Sequence, residues 1–480
     1  MSADDLSALI ADAGAPIDDR ALADLPLTDL GNRTRFLLRC GEDFASGEGD
    51  LKTWKAWDGV RWVSGVQARR LVLLAAQRVA EALRDELKAL EGDSSWGQGD
   101  DEKEIAKARG DRLKAFRGWI KTSCSQGGIN AMIAAAAPHL VKDDAIWDRL
   151  GDVLVTPNAT LTISGGAVEV LEGHRREHYI THCTGVRYQP DADCPRWKAA
   201  VATWFPDERD RAYFQRCLGS CLVDSARDQK FLVWQGAGRN SKTFAMTMMR
   251  FVIGDYHLVM DAATLLDRQR GGGDVSPDLA RLQSRPRLVS AEEPERGKAL
   301  SEGLIKALSG GGPGLARGLY EGLGEFTSCF KMFLILNELP TIKGGDEGIW
   351  RRLQRLVWRV TFRSEDEPED DRPLAADIDS LRASLEAEGP GILNWLIDGC
   401  SEWMIEGGLK PPPRVLEDTL EWRSVSDTLG RFLAECCERG ADKRVEVGKL
   451  FDCYSAWAKR EGLDRVMTKA QFARALTTSK

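Results

Sequence analysis

The chain has 480 residues and a net charge of −8, with 43% hydrophobic and 29% charged residues. This length accommodates about three domains with a large core, and the composition is that of an ordinary globular protein. The acidic balance excludes a surface that is basic throughout, but it leaves a local basic channel for nucleic acid open. No apolar run reaches the ~18 residues of a membrane span, so no membrane association is expected.

The amino-terminal sequence MSADDLSALIADAGAPIDD is acidic and lacks the basic and apolar regions of a secretion signal. The 11 cysteines include no C-x-x-C pair. Reduced thiols in a cytoplasmic protein, without a zinc ribbon, are therefore expected.

The first part of the chain predicts mixed secondary structure. Residues 28–62 combine aromatic clusters with turn signals, and residues 66–92 carry apolar side chains at helical spacing. A charged, glycine-punctuated stretch near 92–110 is predicted to be a loop. More helix is expected up to about residue 140, and β-branched runs in 150–190 predict short strands.

The remainder predicts a different architecture. Residues 205–362 alternate helix-like and strand-like segments, which favours a parallel α/β sheet. The acidic run RSEDEPEDDRP is typical of a solvated loop, GLKPPPR at 408–414 marks a boundary, and three short helices follow. We therefore predict three domains, at 1–204, 205–412 and 413–480.

A glycine loop lies between an apolar strand and a helix in FLVWQGAGRNSKTFAMTMMR, residues 231–250. It matches the phosphate-binding pattern G-x-x-x-x-G-K-[ST], except that Ser241 stands where the second glycine is usual. In such a loop backbone N–H groups point at the phosphates, the lysine reaches the β and γ phosphates, and the Ser/Thr binds Mg²⁺. The predicted ATP-binding residues are Gly236, Ala237, Gly238, Arg239, Asn240, Ser241, Lys242 and Thr243.

The conformation at Ser241 decides what the substitution costs. If the position needs a positive φ, a residue other than glycine costs about 1–2 kcal/mol. If φ is negative, serine costs little and adds a hydrogen-bond donor. The alternative interpretation is a glycine turn between strand and helix that binds no nucleotide.

An acidic strand end follows in RPRLVSAEEPERG, where an apolar stretch leads to Glu292 and Glu293. A nucleotide hydrolase needs carboxylates at such a position to hold Mg²⁺ and to polarise the attacking water. Thr243 and Glu292 are the predicted Mg²⁺ ligands. A solvated Glu-Glu turn is the alternative.

Two further elements complete the predicted catalytic set. Asn337 ends the buried-type strand KMFLILNELP, where an amide can hold the attacking water and sense the γ-phosphate. Arg351 and Arg352 lie in GIWRRLQRLVWRVTF, and arginine stabilises a transferring phosphoryl group, often from a neighbouring subunit. An Asn turn cap and a plain basic helix are the alternatives.

These elements, in this order, resemble the superfamily 3 helicases, which are AAA+ ring motors of small DNA viruses, phages and plasmids. The closest resemblance is to the phage and poxvirus primase–helicase branch. IKALSGGGPGLARGLY at 305–320 is similar to a further motif of that branch, although Gly312 replaces its usual aspartate. TDLGNRTRF, WDGVRW and ITHCTGVRYQPDADCPRW resemble the upstream helper region, and GILNWLIDGCSEW and LFDCYSAW resemble the lid and the carboxyl-terminal part.

The resemblance implies an α/β fold: an AAA+ P-loop ATPase core, a mixed α+β helper domain and a small helical, winged-helix-like carboxyl-terminal domain. It implies ATP and Mg²⁺ as cofactors, a homo-oligomeric ring in which a hexamer is expected, and single-stranded or forked DNA as partner. Lys306, Arg317 and Lys331 are the candidate DNA-binding residues, because pore loops of such rings track one strand by its phosphates.

The expected function is an ATP-dependent DNA helicase of a phage or other mobile element, translocating on single-stranded DNA during replication. The match covers the helicase part without a primase domain, since the acidic D-x-D pair Asp377–Asp379 follows the motor. A separate primase is therefore a candidate partner. Two alternatives stay open: a DNA-stimulated ATPase that loads or remodels a replication complex, and a catalytically silent scaffold.

Overall fold

The structure is a computed structural model that describes residues 18–47, 53–93, 102–267, 276–295, 297–317, 323–342, 347–438, 440, 442–462 and 466–478. The chain forms two compact units, Met1–Arg149 with His174–His182, and Leu150–Gly173 with Cys183–Lys480. The domain boundaries predicted after residues 204 and 412 stay predictions. Among the described residues no helix is both long and apolar enough to cross a bilayer. All eleven cysteines are free thiols.

In its described residues, the first unit combines five α-helices with a small antiparallel sheet of order β1-β2-β3. Its core is formed by apolar side chains of α2, α3 and α5 packed against the sheet. The elements are α1 (Asp19–Leu22), α2 (Asp29–Cys40), β1 (Phe44–Ala45), β2 (Lys55–Trp57), β3 (Trp62–Ser64), α3 (Gly65–Gly92), α4 (Glu102–Ser123) and α5 (Gln126–Ala136).

The helix predicted over 66–92 is confirmed by α3, but the loop predicted near 92–110 is wrong from residue 102 onward. There α4 has already begun, and its later turns bury Phe116 completely and Leu113 in part. Gly110 sits within α4 with nothing near its Cβ position. The charged residues that indicated a loop are therefore the solvent face of an amphipathic helix.

The second unit begins with an antiparallel sheet of order β4-β5-β6 and continues into a larger α/β assembly. Its elements up to the last strand are β4 (Val153–Val155), β5 (Thr160–Ser164), β6 (Ala167–Leu171), α6 (Pro195–Trp204), α7 (Glu208–Gly219), β7 (Phe231–Gln235), α8 (Lys242–Ile253), β8 (His257–Val259), α9 (Pro277–Ala280), β9 (Leu288–Glu292), α10 (Glu302–Ser309), β10 (Pro313–Arg317), β11 (Leu323–Thr327), β12 (Lys331–Leu336), α11 (Glu347–Trp350) and β13 (Leu353–Val357). The helices that follow are α12 (Ile378–Ala387), α13 (Gly389–Ile405), α14 (Pro413–Ser426), α15 (Thr428–Cys436), α16 (Val447–Arg460) and α17 (Lys469–Thr478).

A five-stranded sheet of order β13-β7-β12-β9-β8 is the centre of this unit, and all of its pairs are parallel. The predicted parallel α/β sheet is confirmed. Phe231 lies opposite both Met332 and Leu353, so β7 is held between β12 and β13. Because all strands run the same way, their carboxyl ends share one edge, which we call the carboxyl edge.

The apolar strands are buried on both faces, as parallel strands usually are. Alternate residues of β7 and β12 enter two separate cores, since successive side chains of a strand point to opposite faces. Leu232, Trp234, Phe333 and Ile335 belong to one core, and Phe231, Val233, Met332 and Leu334 belong to the other. The carboxyl edge is thereby fixed from both sides of the sheet.

Helices α7 and α13 approach each other closely over the first of these cores. A Cβ on Gly219 would lie 2.4 Å from the backbone nitrogen of Cys400, and one on Gly399 would lie 2.5 Å from the carbonyl oxygen of Gln215. Contacts under 3.0 Å with backbone atoms leave no room for a side chain at either position. The two glycines therefore permit the tight packing of these helices.

The motif predicted at 305–320 spans the end of α10 and the start of an antiparallel hairpin formed by β10 and β11. Residues 318–322, between the two strands in the sequence, lie outside the described residues. The three short helices predicted after residue 414 are confirmed by α15, α16 and α17. They pack around Phe432, Tyr454 and Phe472 in a core of their own.

Candidate functional site

The glycine loop lies at the carboxyl edge, between the end of β7 and the start of α8. Gly236 is the residue of this loop with the least space: a Cβ there would lie 1.8 Å from Nδ2 of Asn240 and 2.7 Å from the carbonyl oxygen of Trp358. By contrast, the Cβ position of Gly238 is open, but its φ of +94° favours glycine. The loop thus needs its first two glycines for different reasons.

Ser241 adopts the left-handed conformation, with φ 64° and ψ 11°, immediately before α8 begins. This is the more costly of the two alternatives considered for the substitution. Its neighbour Arg239 also has a positive φ, of 47°. The loop therefore holds two non-glycine residues in a region that only glycine occupies without strain.

Replacing Ser241 by glycine is expected to raise the free energy of unfolding of the second unit by about 1 kcal/mol, because the left-handed strain disappears. Urea unfolding followed by tryptophan fluorescence measures this. Ser241→Ala is the matched control: it removes the same hydroxyl but keeps the strain, and it should not stabilise. If the unchanged protein and both variants are equally stable, the left-handed conformation of Ser241 costs no free energy.

Lys242 is the first residue of α8, and its side chain is buried under the loop. Its Nζ donates to the carbonyl oxygen of Gly236 at 2.9 Å, to Oδ1 of Asn240 at 2.8 Å and to Oδ1 of Asn337 at 3.1 Å. Burial lowers the pKa of this ammonium group to about 8, and the nearby Glu293 carboxylate opposes the shift. All three protons of the ammonium group thus have acceptors within the protein.

The two glutamates follow each other at the end of β9 but point to different partners. The Thr243 side chain lies near the Glu292 carboxyl: burial raises the pKa of Glu292, and Thr243 opposes that shift. A hydroxyl and a carboxylate are the hard oxygen ligands that Mg²⁺ prefers, so Thr243 and Glu292 fit the predicted metal. Glu293 has a φ of 50°, which turns the chain sharply, and its N–H donates to the carbonyl oxygen of Ile335 at 2.9 Å.

Asn337 connects the lysine with the second glutamate. Its Oδ1 accepts from Lys242, and its Nδ2 donates to Oε1 of Glu293 at 3.0 Å. The end of β12 lies between the ends of β7 and β9, which brings the amide within reach of both. Five of the predicted residues therefore meet at one edge of the sheet: Lys242, Asn337 and Glu293 form one hydrogen-bonded group, with Thr243 and Glu292 beside it.

The predicted arginines are not part of this group. Arg351 and Arg352 immediately precede β13, whose first residue lies beside the first residue of β7. Five residues at ~3.3 Å each place them about 16 Å from the carboxyl edge. The backbone confirms this placement, since the carbonyl oxygen of Arg352 accepts from the N–H of Phe231 at 2.8 Å. The exposed Arg351 side chain is therefore too far away to contact the hydrogen-bonded residues of its own chain at the carboxyl edge.

Curated proteins of large DNA viruses are similar to this chain. "Putative helicase 022R" of Frog virus 3 is 28% identical over 267 residues, which cover 54% of this chain and 27% of that protein. "Putative helicase L207/L206" of Acanthamoeba polyphaga mimivirus is 29% identical over 294 residues, covering 58% and 30%. "Putative primase C962R" of African swine fever virus is 25% identical over 303 residues, covering 60% and 31%. The matched stretches span less than a third of each of these relatives.

Two family profiles match opposite parts of the chain. The family described as "D5 N terminal like" matches residues 33–206, and the family described as "Poxvirus D5 protein-like" matches residues 424–479. Two separate parts of the chain are thus similar to D5 proteins. Both matches lie outside the glycine loop, so they are independent of the motif from which the resemblance was first derived.

Solved structures of one other protein are also similar to this D5-like chain. "The apo structure of NrS-1 C terminal region (305-718)" aligns with a TM-score of 0.34 and 10% identity, covering 62% of this chain and 84% of that one. "The A form apo structure of NrS-1 C terminal region-CTR" aligns with a TM-score of 0.33 and 12% identity, covering 60% and 76%.

The candidate DNA-binding residues of this D5-like protein lie in three different environments. Lys306 is half-buried in the last turn of α10, and Arg317 ends β10, although its side chain is outside the described part of the structure. Lys331 is buried at the start of β12: its Nζ donates to the carbonyl oxygen of Ser225 at 2.6 Å and lies 4.9 Å from the ring centre of Trp403. That environment disagrees with the prediction for Lys331, because a phosphate contact needs an exposed ammonium group.

Sequence reasoning missed two side chains that support the site. Gln235, the last residue of β7, accepts at Oε1 from Nε of Arg355 at 2.6 Å and donates to the carbonyl oxygen of Asn337 at 3.4 Å. The role of Gln235 could have been suspected from the sequence, because it is a polar residue at the end of an apolar strand. Arg239 pairs with Glu367, so the acidic run predicted as a solvated loop contacts the glycine loop. No local pattern could have indicated that pair.

Proposed function

We propose that this chain is the motor part of an ATP-dependent DNA helicase of a virus, phage or other mobile element, acting in replication. The proposed core is an AAA+ P-loop ATPase of superfamily 3. The observation that carries the proposal is the convergence of Lys242, Asn337 and Glu293 in one hydrogen-bonded group beside Thr243 and Glu292. Similarity to D5 proteins, and to viral proteins named as putative helicases and primases, supports the same reaction class.

ATP would bind with its phosphates over the glycine loop, where Lys242 exchanges its internal acceptors for phosphate oxygens. A buried ammonium group with a lowered pKa gains most from such an anion, because the charge is otherwise poorly solvated. Thr243 and Glu292 would hold Mg²⁺, and the ion would neutralise part of the phosphate charge. Glu293 would take a proton from the attacking water, and Asn337 would keep that carboxylate oriented.

The position of the arginines supports a homo-oligomer. A side chain about 16 Å from its own site cannot stabilise charge there, whereas a neighbouring copy can receive it, as in other phosphoryl-transfer rings. The proposed assembly is a ring, with six subunits as the expected number. The hairpin of β10 and β11 would line its pore and track single-stranded or forked DNA, and a separate primase would complete the replication machinery in the host cytoplasm.

The test is ATP hydrolysis by the intact chain with and without single-stranded DNA, followed by strand displacement from a forked substrate. We expect turnover that rises several-fold with DNA, and displacement that requires ATP. Turnover without displacement would favour an ATPase that loads or remodels a replication complex. Absence of turnover in a folded, Mg²⁺-supplied protein would refute the motor and favour a silent scaffold.

A further inference from the structure

One face of α4 carries a line of cations that the proposed motor does not use. With 100° per residue, five of them fall within an arc of about 80° on the side opposite the buried face. In each turn of the helix, the residue at the centre of this arc is a glycine or a cation. The acidic residues Glu104 and Asp111 lie to one side of the arc. The members of this basic stripe, all exposed, are Lys103, Lys107, Lys114, Arg117 and Lys121.

Lys107, Lys114 and Lys121 differ from the other cations of α4, which are engaged with the protein. Within the stripe, Arg117 pairs with Oε1 of Glu91 at 2.7 Å. Arg112 donates to the carbonyl oxygen of Ala23 at 2.8 Å, and Arg109 donates to the carbonyl oxygen of Glu91 at 2.6 Å. Both lie toward the packed side of the helix. Within the described part of the chain, Lys107, Lys114 and Lys121 form neither an ion pair nor a hydrogen bond.

The position of α4 in the first unit makes the stripe rigid. Phe116 is fully buried, the indole of Trp119 donates to Oδ1 of Asn32 at 3.1 Å, and Nδ2 of the same Asn32 donates to Oγ of Ser123 at 2.8 Å. From Lys103 to Lys121 the stripe extends for about 27 Å at 1.5 Å per residue. These five positive charges share one helix face, although the net charge of the chain is −8.

We infer that the basic stripe binds the phosphate backbone of DNA outside the motor. A rod of cations with few interleaved acids suits a continuous polyanion, and each ammonium group that neutralises a phosphate releases a counterion. A lipid surface fits poorly, because the apolar residues of α4 are buried in the first unit instead of being available to enter a bilayer. The choice of DNA as the polyanion rests on the proposed function.

The test compares two triple variants of the full chain by fluorescence anisotropy with labelled 30-mer oligothymidylate and a 30-base-pair duplex. The first variant replaces Lys107, Lys114 and Lys121 by alanine. The control replaces Arg70, Arg84 and Lys88 by alanine on the outer face of α3, where acidic residues interrupt the cations. Both sets are exposed helical positions, where alanine is a good helix former, and circular dichroism checks that each variant folds.

We expect the stripe variant to bind the single strand about ten- to a hundredfold more weakly at 0.1 M salt. The slope of log affinity against log salt should fall by about 2, from three lost contacts at ~0.7 each. The control variant should bind within about twofold of the intact chain. If the stripe variant loses affinity only for the duplex, and the salt slope changes by ~0.9 per lost contact, the stripe binds duplex DNA.

An unchanged affinity and slope with both DNAs would overturn the inference and leave the stripe to an acidic protein partner. The same comparison in a Lys242→Ala background separates it from the proposed function, because the stripe lies outside the glycine loop. If the stripe variant loses DNA binding while the intact chain shows no ATP turnover, the stripe is supported and the motor is refuted. If DNA stimulates ATP turnover by the intact chain but the stripe variant binds DNA normally, the motor is supported and the stripe inference is refuted.

Discussion

Glu293→Gln is expected to lower ATP turnover by about a hundredfold or more while ATP still binds. The carboxylate is the group placed to accept a proton from water, and a general base contributes about 10²–10⁴ in rate. The amide that replaces it can still pair with Asn337 after rotation, so the geometry of the site should persist. Steady-state hydrolysis gives the turnover, and anisotropy of a fluorescent ATP analogue gives the affinity.

Two matched variants test whether the loss of turnover in Glu293→Gln comes from the loss of a general base. Glu295→Gln, two residues further on and exposed, should keep turnover within about twofold. Glu292→Gln should instead raise the Mg²⁺ concentration needed for half-maximal binding, because it removes a carboxylate ligand. If Glu293→Gln retains full turnover, or loses ATP binding as severely as hydrolysis, Glu293 is not the base.

Mixing two inactive variants should restore activity if an arginine acts between subunits. Arg351→Ala alone is expected to lose about a thousandfold in turnover, the scale of a missing arginine contact to the transferring phosphoryl group. Lys242→Ala alone should be inactive because the phosphates lose their lysine. In rings assembled at random from equal amounts of both, about a quarter of the interfaces pair an intact Lys242 with an intact Arg351.

The expected recovery is therefore up to about a quarter of the turnover of the intact protein. A mixture of Lys242→Ala with Glu293→Gln is the matched control, since both defects lie in the same subunit's site and no interface regains both residues. Size-exclusion chromatography establishes that mixed assemblies form. An inactive mixture of Arg351→Ala and Lys242→Ala, with mixed rings present, would contradict action between subunits.

The central sheet and the residues at its carboxyl edge were predictable because they depend on short-range patterns. Apolar runs predict buried strands, and polar residues that directly follow parallel strands must meet at one edge. That logic alone brings Lys242, Glu293 and Asn337 together. It also explains why Arg351 could be assigned to a site only through a second subunit: it precedes its strand.

Other features depend on contacts between distant segments, which a single sequence does not specify. The left-handed conformation of Ser241 follows from how the loop closes over Lys242, and the pairing of Arg239 with Glu367 joins residues far apart in the chain. Lys331 was predicted to bind DNA, which needs an exposed ammonium group, but it is buried near Trp403. The charged start of α4 was predicted as a loop because its apolar anchors lie in later turns.

The cysteines show how the protein can be labelled chemically without redesign. The thiolate is the form that reacts with maleimides and iodoacetamides, and burial disfavours it. Burial raises the pKa of Cys194 and of Cys221 to about 12, so these thiols are inert at neutral pH. Cys436 and Cys453 are exposed, on α15 and α16. A fluorophore or spin label can therefore be attached to the carboxyl-terminal helices while the interior thiols of the sheet and its flanking helices are left as they are.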